Sequence, residues 1–350
     1  MATYVDRRSR SRARRRRRCH ASDNRTYAAL DLGTNNCRLL VARPTDAGFR
    51  VIDAFSRIVR LGEGLGGNGQ LSEAAMERTI GALKICADKM RRDRVDQARS
   101  VATAACRQAE NCDAFLDRVA AETGIEIETI SSTEEARLAL LGCMPLLDGN
   151  EPHGLVFDIG GGSTEIVWLD LSAGRPDIIG CLSMPHGVVN LSERQGAGDI
   201  GDESYRNIVD EFAAHMAEFC GQHGIGEAVE RREVQMLGTS GTVTTLAGVN
   251  LDLPRYDRAA VDGTFLGAEE ARRVSERLRA MDDGERAAHP CIGAERADLV
   301  VAGCAVLETI LARWGVARLR VADRGLREGI LLELMSRAGS DRVATGDGAT

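Results

Sequence analysis

Phe157-Asp158-Ile159-Gly160-Gly161-Gly162-Ser163-Thr164-Glu165 is the stretch on which the reading of this chain turns. Residues 155–157 read as a buried strand that ends at Asp158, and residues 165–169 as the strand that returns. Three consecutive glycines between them leave the backbone N–H groups open to an approaching group, and such groups form a nest for an anion. Asp158 and Glu165 flank the turn, so a hairpin brings two carboxylates face to face. Like charges opposed across a hairpin are destabilising. A divalent cation between them reverses that. Magnesium suits the place, because it takes few carboxylates and shares phosphate oxygens. The competing reading is a tight glycine hairpin with solvated acids.

Working outward, Asp31-Leu32-Gly33-Thr34-Asn35-Asn36 repeats the pattern earlier in the chain, between strand candidates at 27–30 and 37–42. Thr34, Asn35 and Asn36 can donate to phosphate oxygens, and Asp31 can orient metal-bound water. Read alone, the stretch is an Asn-rich hairpin turn. A third loop, Gly238-Thr239-Ser240-Gly241-Thr242, runs from a strand at 234–237 into a helix. Its N–H groups and hydroxyls would face an anion at a helix N-terminus, or simply cap the helix. No G-x-x-x-x-G-K-[ST] occurs in the chain, and the third loop is not G-x-S-x-G. Gly62-Glu63-Gly64-Leu65-Gly66-Gly67 matches G-x-G-x-x-G but does not open a strand–helix–strand unit, which argues against a dinucleotide site.

Two strand–turn–strand units predict a duplicated α/β fold, with a cleft between the halves where ligands commonly bind. Between the motifs, the pattern predicts a strand at 49–61 and a glycine-rich loop at 62–70. A helix then starts at Ser72, with Met76, Ile80, Leu83 and Met90 on one face. A strand follows at 101–105, then a helix capped by Asn111 and ended by Gly124, then a strand at 125–130. Near the end, a helix is expected at 298–313, a strand at 316–321 and a helix at 326–335.

Composition sets the bounds. The 350 residues leave room for two domains, and a hydrophobic share of 43% is enough to bury a core. No stretch approaches the roughly 18 apolar residues of a membrane span, and the start lacks the apolar run of a secretory signal. Ten cysteines with no C-x-x-C pair and six histidines without metal spacing predict reduced thiols in the cytoplasm rather than disulfides or zinc. The net charge of −7 divides into +8 on residues 1–25 and −15 on the rest. An acidic body argues against nucleic-acid binding. Arg7, Arg8, Arg10, Arg12 and Arg14 to Arg18 are the one block that suits RNA or anionic lipid; the simpler reading is a disordered extension or an early start codon.

Taken in order, several stretches resemble the exopolyphosphatase and guanosine pentaphosphate phosphatase family of the actin-like, sugar-kinase-like ATPase superfamily. They are Ala29-Leu-Asp-Leu-Gly-Thr-Asn-Asn36, Leu61-Gly-Glu-Gly-Leu65, Thr103-Ala-Ala-Cys-Arg-Gln-Ala109, Ser132-Thr-Glu-Glu-Ala-Arg137, the 157–165 stretch, Gly238 to Thr242, Glu295-Arg-Ala-Asp298 and Gly325-Leu-Arg-Glu-Gly329. The resemblance covers about residues 27–335. It implies an α/β fold of two ribonuclease H-like domains with an interdomain cleft, drawn at 26–135 and 136–338, with tails at 1–25 and 339–350. It also implies magnesium-dependent hydrolysis of a terminal phosphoanhydride. Glu135 then matches the catalytic glutamate that activates water. Asp158 and Glu165 match acids around the metal, and Asp31 joins them. Arg107 and the three loops match the phosphate grip, which comprises Gly33, Thr34, Asn35, Asn36, Arg107, Gly160, Gly161, Gly162, Ser163, Gly238, Thr239, Ser240, Gly241 and Thr242.

Without the resemblance, Ser132-Thr133-Glu134-Glu135 reads as a capping box and Arg107 as a surface arginine; Glu134 can share the capping role through Ser131. The partners implied are inorganic polyphosphate or pppGpp, with no membrane, nucleic acid only through the tail, and a homodimer left open. The extra helical C-terminal domains of long family members have no counterpart here, which turns the expectation toward shorter polyphosphate. Two other functions compete. A kinase would need an acceptor site, and a non-catalytic nucleotide sensor would have little need of Glu135.

Overall fold

Strand β1 (Tyr27–Leu32) sends its side chains alternately to two faces. Ala28, Leu30 and Leu32 enter one apolar core, and Tyr27 and Ala29 enter another. A strand buried on both faces belongs inside a sheet, and β1 is the centre of five, in the order β3-β2-β1-β4-β5. β2 (Asn36–Thr45) pairs antiparallel with β1, and β3 (Gly48–Ile58) antiparallel with β2. β4 (Gln97–Ala102) and β5 (Glu128–Thr129) continue the other side in parallel. This computed structural model describes residues 25–46, 48–174, 176–194 and 200–345. The arginine block at 7–18 and residues 346–350 lie outside them.

The second sheet repeats the first. β6 (His153–Ile159), β7 (Thr164–Asp170) and β8 (Asp177–Met184) form an antiparallel trio. β9 (Val234–Thr239) and β11 (Arg318–Ala322) follow in parallel, and β10 (Phe265–Gly267) is added at the edge. The order β8-β7-β6-β9-β11 thus reproduces β3-β2-β1-β4-β5. In each half a long helix joins the trio to the parallel strands: Glu73–Arg92 in the first and Asp202–His223 in the second. Ser72 caps the first, its Oγ accepting from the Ala75 N–H at 3.2 Å.

Several expectations need correcting. The strand expected at 101–105 ends at Ala102, and Ala104–Gln108 is a short helix that carries Arg107 toward the cleft. Of residues 125–130, only Glu128 and Thr129 pair with β4. Asn111 stands at its helix start but does not cap it. Its side chain instead accepts from Leu71 N at 2.9 Å and donates to Leu71 O at 3.0 Å, tying down the loop before the first long helix. Gly124 does end that helix, in the left-handed region at φ 73°.

Two helices cross the boundaries drawn from sequence. Ser132–Cys143 runs through the junction at 135/136 and sets Ala136, Leu140 and Cys143 against Val156, Val167 and Leu237 of the second sheet. The last helix, Leu326–Thr345, returns to the first half. Ile330, Leu331, Met335 and Ala338 cover Tyr27, Ala29, Leu40 and Val101. Each large aliphatic side chain buried there contributes about 1.5–3 kcal/mol. Glu333 adds ion pairs to Arg99 at 2.8 Å and Arg137 at 2.7 Å. This helix was expected to stop at 335, before a tail at 339–350; it carries Gly339 inside it instead, at the ordinary cost of about 1 kcal/mol.

Candidate active site

β1 and β6 each hand over to a tight hairpin turn, and the two turns face one cleft of about 490 Å³. In the first turn, Gly33 N–H donates to Asn36 O at 2.9 Å. The carbonyls of Thr34 and Asn35 are taken from behind: Gly62 N–H binds the first at 3.0 Å, and Val59 and Arg60 N–H bind the second at 2.9 and 3.1 Å. Thr34 Oγ1, Asn35 Oδ1 and Asn36 Oδ1 are buried without a partner among the described residues. Such atoms are costly unless a ligand or water satisfies them.

The second turn is built the same way from backbone alone. Gly160 N–H donates to Ser163 O at 2.9 Å. The carbonyls of Gly160, Gly161 and Gly162 accept from Val188 N–H at 3.0 Å, Val189 N–H at 2.9 Å and Asn190 Nδ2 at 2.9 Å. Among the described residues, the N–H groups of Gly161, Gly162 and Ser163 have no backbone acceptor. Turning the carbonyls away leaves these donors uncommitted, an arrangement in which backbone N–H groups can surround an anion.

The third loop contributes less than expected. Thr239, Ser240, Gly241 and Thr242 line the cleft where the helix Ser240–Asn250 begins. Gly238 does not. It lies inside β9 opposite Phe157, whose ring fills the space of a Cβ. Its glycine answers to packing, not to phosphate.

Glu135 is freed for chemistry by its neighbours. Ser131, not Ser132, caps the helix Ser132–Cys143, its Oγ accepting from Glu134 N–H at 3.1 Å. The Glu134 carboxylate goes to Arg137 at 2.7 Å and Arg99 at 3.1 Å instead of capping. Glu135 Oε2 accepts from Arg107 Nη1 at 2.7 Å, and the same Nη1 donates to Ile130 O at 3.0 Å. Asp158 and Glu165 are direct partners across the hairpin. Glu165 is 3% exposed, and Ser183 Oγ donates to its Oε1 at 2.9 Å. Asp31, Glu135 and Asp158 line the cavity, whereas Arg107 and Glu165 stand behind its wall.

The electrostatics follow from this crowding. Burial, then the Glu165 charge, pushes the Glu135 carboxyl up to about 8; Arg107 opposes the shift and is outweighed. Burial, then the charges of Glu165 and Asp31, pushes Asp158 up to about 7. Glu165 is raised by burial against the pull of Ser163 and Ser183. Asp31 is raised by burial, while Arg38 and Arg327 pull the other way. The Glu165 charge thus raises both Glu135 and Asp158, and a cation bound among these acids would favour their ionised forms. Among the described residues, no three His, Cys, Asp or Glu side chains converge closely enough to hold a metal unaided.

Sequence reasoning missed three cations. Arg38, Arg296 and Arg327 line the cleft without an ion-paired side chain among the described residues. Arg38 lies opposite Asp31 in the first hairpin, so the register alone could have found it. Arg296 and Arg327 sit within two of the family-like stretches but come from distant segments, which no local pattern joins. Arg258 and Arg324, also in the lining, are already paired with Glu328 and Asp262.

Two ribonuclease H-like halves, each presenting an acid and a tight hairpin turn to a shared cleft, define a protein of the actin-like fold. The sequence pattern of the Ppx/GppA phosphatase family matches residues 40–338. The chain belongs to that family. Exopolyphosphatase 2 of Mycobacterium tuberculosis is 30% identical over 327 residues, spanning 88% of this chain and 98% of the relative. A solved exopolyphosphatase-like protein superposes with a TM-score of 0.82 at 30% identity, covering 89% of this chain and 98% of that one. The Aquifex aeolicus member of the Ppx/GppA family superposes with a TM-score of 0.72 at 28% identity, over 90% and 98%. Among the described residues, no helix is long and apolar enough to cross a membrane.

Proposed function

We propose that this protein removes the terminal phosphate of inorganic polyphosphate by hydrolysis and releases orthophosphate. The observation that carries the reading is Glu135, a deep carboxylate at the cleft whose Oε2 is held by Arg107 and whose Oε1 has no hydrogen-bond partner among the described residues. Water attacks the terminal phosphorus, its proton passes to Glu135 Oε1, and the bridging P–O bond breaks to leave a chain one phosphate shorter. A raised carboxyl suits this role, because a general base works best near the working pH. The N–H groups of Gly161, Gly162 and Ser163 hold the transferred group, with Thr34, Asn35 and Asn36 on the facing side. Phosphoryl transfer asks for such positioning and charge neutralisation more than for covalent help.

The donor set suits magnesium, which takes few carboxylates. Asp31 and Asp158 line the cleft and would hold the ion, with Glu165 adding negative charge behind Asp158 and water and phosphate oxygens supplying most of the shell. When bound, magnesium supplies neutralising charge to the phosphate oxygens.

Polyphosphate is favoured over pppGpp by the lining itself. Tyr256 is its one aromatic side chain, and its hydroxyl is committed to Asp323 Oδ2 at 2.7 Å. Unpaired Arg38, Arg296 and Arg327 suit a polyanion. We place the reaction in the cytoplasm, which agrees with nine free cysteines among the described residues. The test is phosphate release from polyphosphate of defined lengths, pppGpp and ATP, each with and without magnesium. Faster release from pppGpp than from any polyphosphate would overturn the substrate assignment. Nucleotide binding without turnover would turn the reading to a sensor.

A further inference from the structure

The glycine nest presents its donors only because something holds its carbonyls, and that holder is itself held. The segment that binds the Gly160, Gly161 and Gly162 carbonyls comprises Gly187 to Asn190. It lies backbone to backbone on the turn: a Cβ on Gly187 would collide with Gly161. The residues at either end of this stretch converge on one carboxylate. His186 Nε2 meets Glu211 Oε1 at 2.6 Å, Arg194 Nη1 donates to Oε1 at 3.1 Å, and Arg194 Nη2 donates to Oε2 at 2.9 Å. Glu211 belongs to the long helix Asp202–His223. Arg194 first, then His186, holds its carboxyl down to about 2, so it stays ionised at any working pH.

The first half carries the counterpart. Residues 59–62 bind the Thr34 and Asn35 carbonyls. Arg78, on the long helix Glu73–Arg92, donates from Nε to Val59 O at 3.1 Å and from Nη2 to Arg60 O at 3.4 Å. In both halves, one charged residue of the helix after the third strand pins the segment that aims the turn. A device repeated in two diverged halves is not an accident of surface charge. We infer that Glu211 is a positioning residue: it clamps both ends of the 186–194 segment and thereby sets the donor geometry of the 160–163 turn. The inference rests on the reading of that turn as a phosphate grip.

Two measurements on the full-length chain test it. Amide hydrogen exchange at Val188 and Val189 reports the clamp without reference to any ligand. Calorimetric titration with inorganic phosphate, at fixed magnesium, reports the nest. In Glu211→Ala both amides are expected to exchange about tenfold faster, and phosphate to bind about tenfold more weakly at unchanged stoichiometry, as for donors displaced by a fraction of an ångström. A merely structural loss would lower stoichiometry and Tm but leave the affinity of the folded fraction alone. Glu211→Gln keeps an oxygen at the shared Oε1 position and is expected to restore affinity to within about threefold of wild type. Arg194→Gln, at an exposed position, should move both readouts in the same direction by less, and stands in if the alanine variant does not fold. Unchanged exchange in Glu211→Ala, or faster exchange with unchanged phosphate affinity, overturns the inference while the grip survives. If the wild-type protein binds no phosphate, the grip and the inference fall together.

Discussion

The two hairpins are one design run twice with opposite electrostatics. Asp31 faces Arg38 in the first, and Asp158 faces Glu165 in the second. The first turn offers side-chain oxygens and nitrogens from Thr34, Asn35 and Asn36, whereas the second offers bare backbone from its glycines. One half is balanced and polar, and the other is unbalanced and stripped. The difference teaches that sheet topology sets where a site goes, while its charge is decided by the single residue across from the strand-end acid. The second hairpin is the one that leaves two buried carboxylates opposed.

Glu135 belongs to neither hairpin, and removing it should cost most. Glu135→Gln is expected to lower kcat on the order of 10²–10⁴-fold, measured as phosphate release at saturating polyphosphate. Wild-type turnover in that variant sinks the mechanism.

Neutralising the two hairpins should give opposite signs of stability. Without divalent cation, Glu165→Gln relieves Asp158 and is expected to raise stability by roughly 1–2 kcal/mol in urea unfolding. Arg38→Gln removes the positive charge that faces Asp31 across the hairpin and is expected to lower it by a similar amount. Equal signs would erase the distinction drawn between the halves.

The pH dependence follows from the same crowding. Glu135 rises from 4.5 to about 8 and Asp158 from 3.8 to about 7 on folding. Between the ordinary and folded values, the folded chain holds protons that the unfolded chain has released. Their contribution to stability is therefore full below the ordinary values and is lost as pH rises through about 7 and then 8. Metal-free Tm should fall over that range, less steeply in Glu135→Gln, and magnesium should flatten the slope. A flat metal-free profile for wild type would show that the acids are not in conflict.

A last pair of substitutions separates the turns themselves. A Cβ at Gly162 would run into Thr34 and Ala104, whereas one at Gly33 meets only Asn36 O at 3.5 Å and Asp31 Oδ1 at 4.0 Å. Gly162→Ala is expected to cost roughly 1–3 kcal/mol by thermal unfolding, and Gly33→Ala less than about 0.5 kcal/mol.

Both hairpins were legible because the chemistry and the fold share the same few residues: a strand ending in Asp, a glycine turn, a strand returning. Glu135 was not legible from its surroundings, which spell a capping box; Ser131 takes that role only because the helix begins one residue earlier than the motif suggests. β8 was invisible because an edge strand with Ile178, Ile179 and Cys181 facing outward shows no alternation of apolar and polar residues. The helix Asp202–His223 was legible and overlooked, since Tyr205, Ile208, Phe212, Met216 and Phe219 recur at helical spacing and are all buried. Arg296 and Arg327 reach the cleft from segments far from either turn, and only the folded chain brings them together.

The last helix makes synthesis run against completion. Tyr27, Ala29 and Leu40 leave the ribosome before Ile330, Leu331 and Met335, which cover them and are made only after every strand of the second sheet. Until then the nascent chain carries a first sheet with one uncovered face. Pairing so distant in sequence is slow to form and leaves apolar surface open to chaperones or to neighbouring chains in the meantime. The first half therefore matures only after the second has been made.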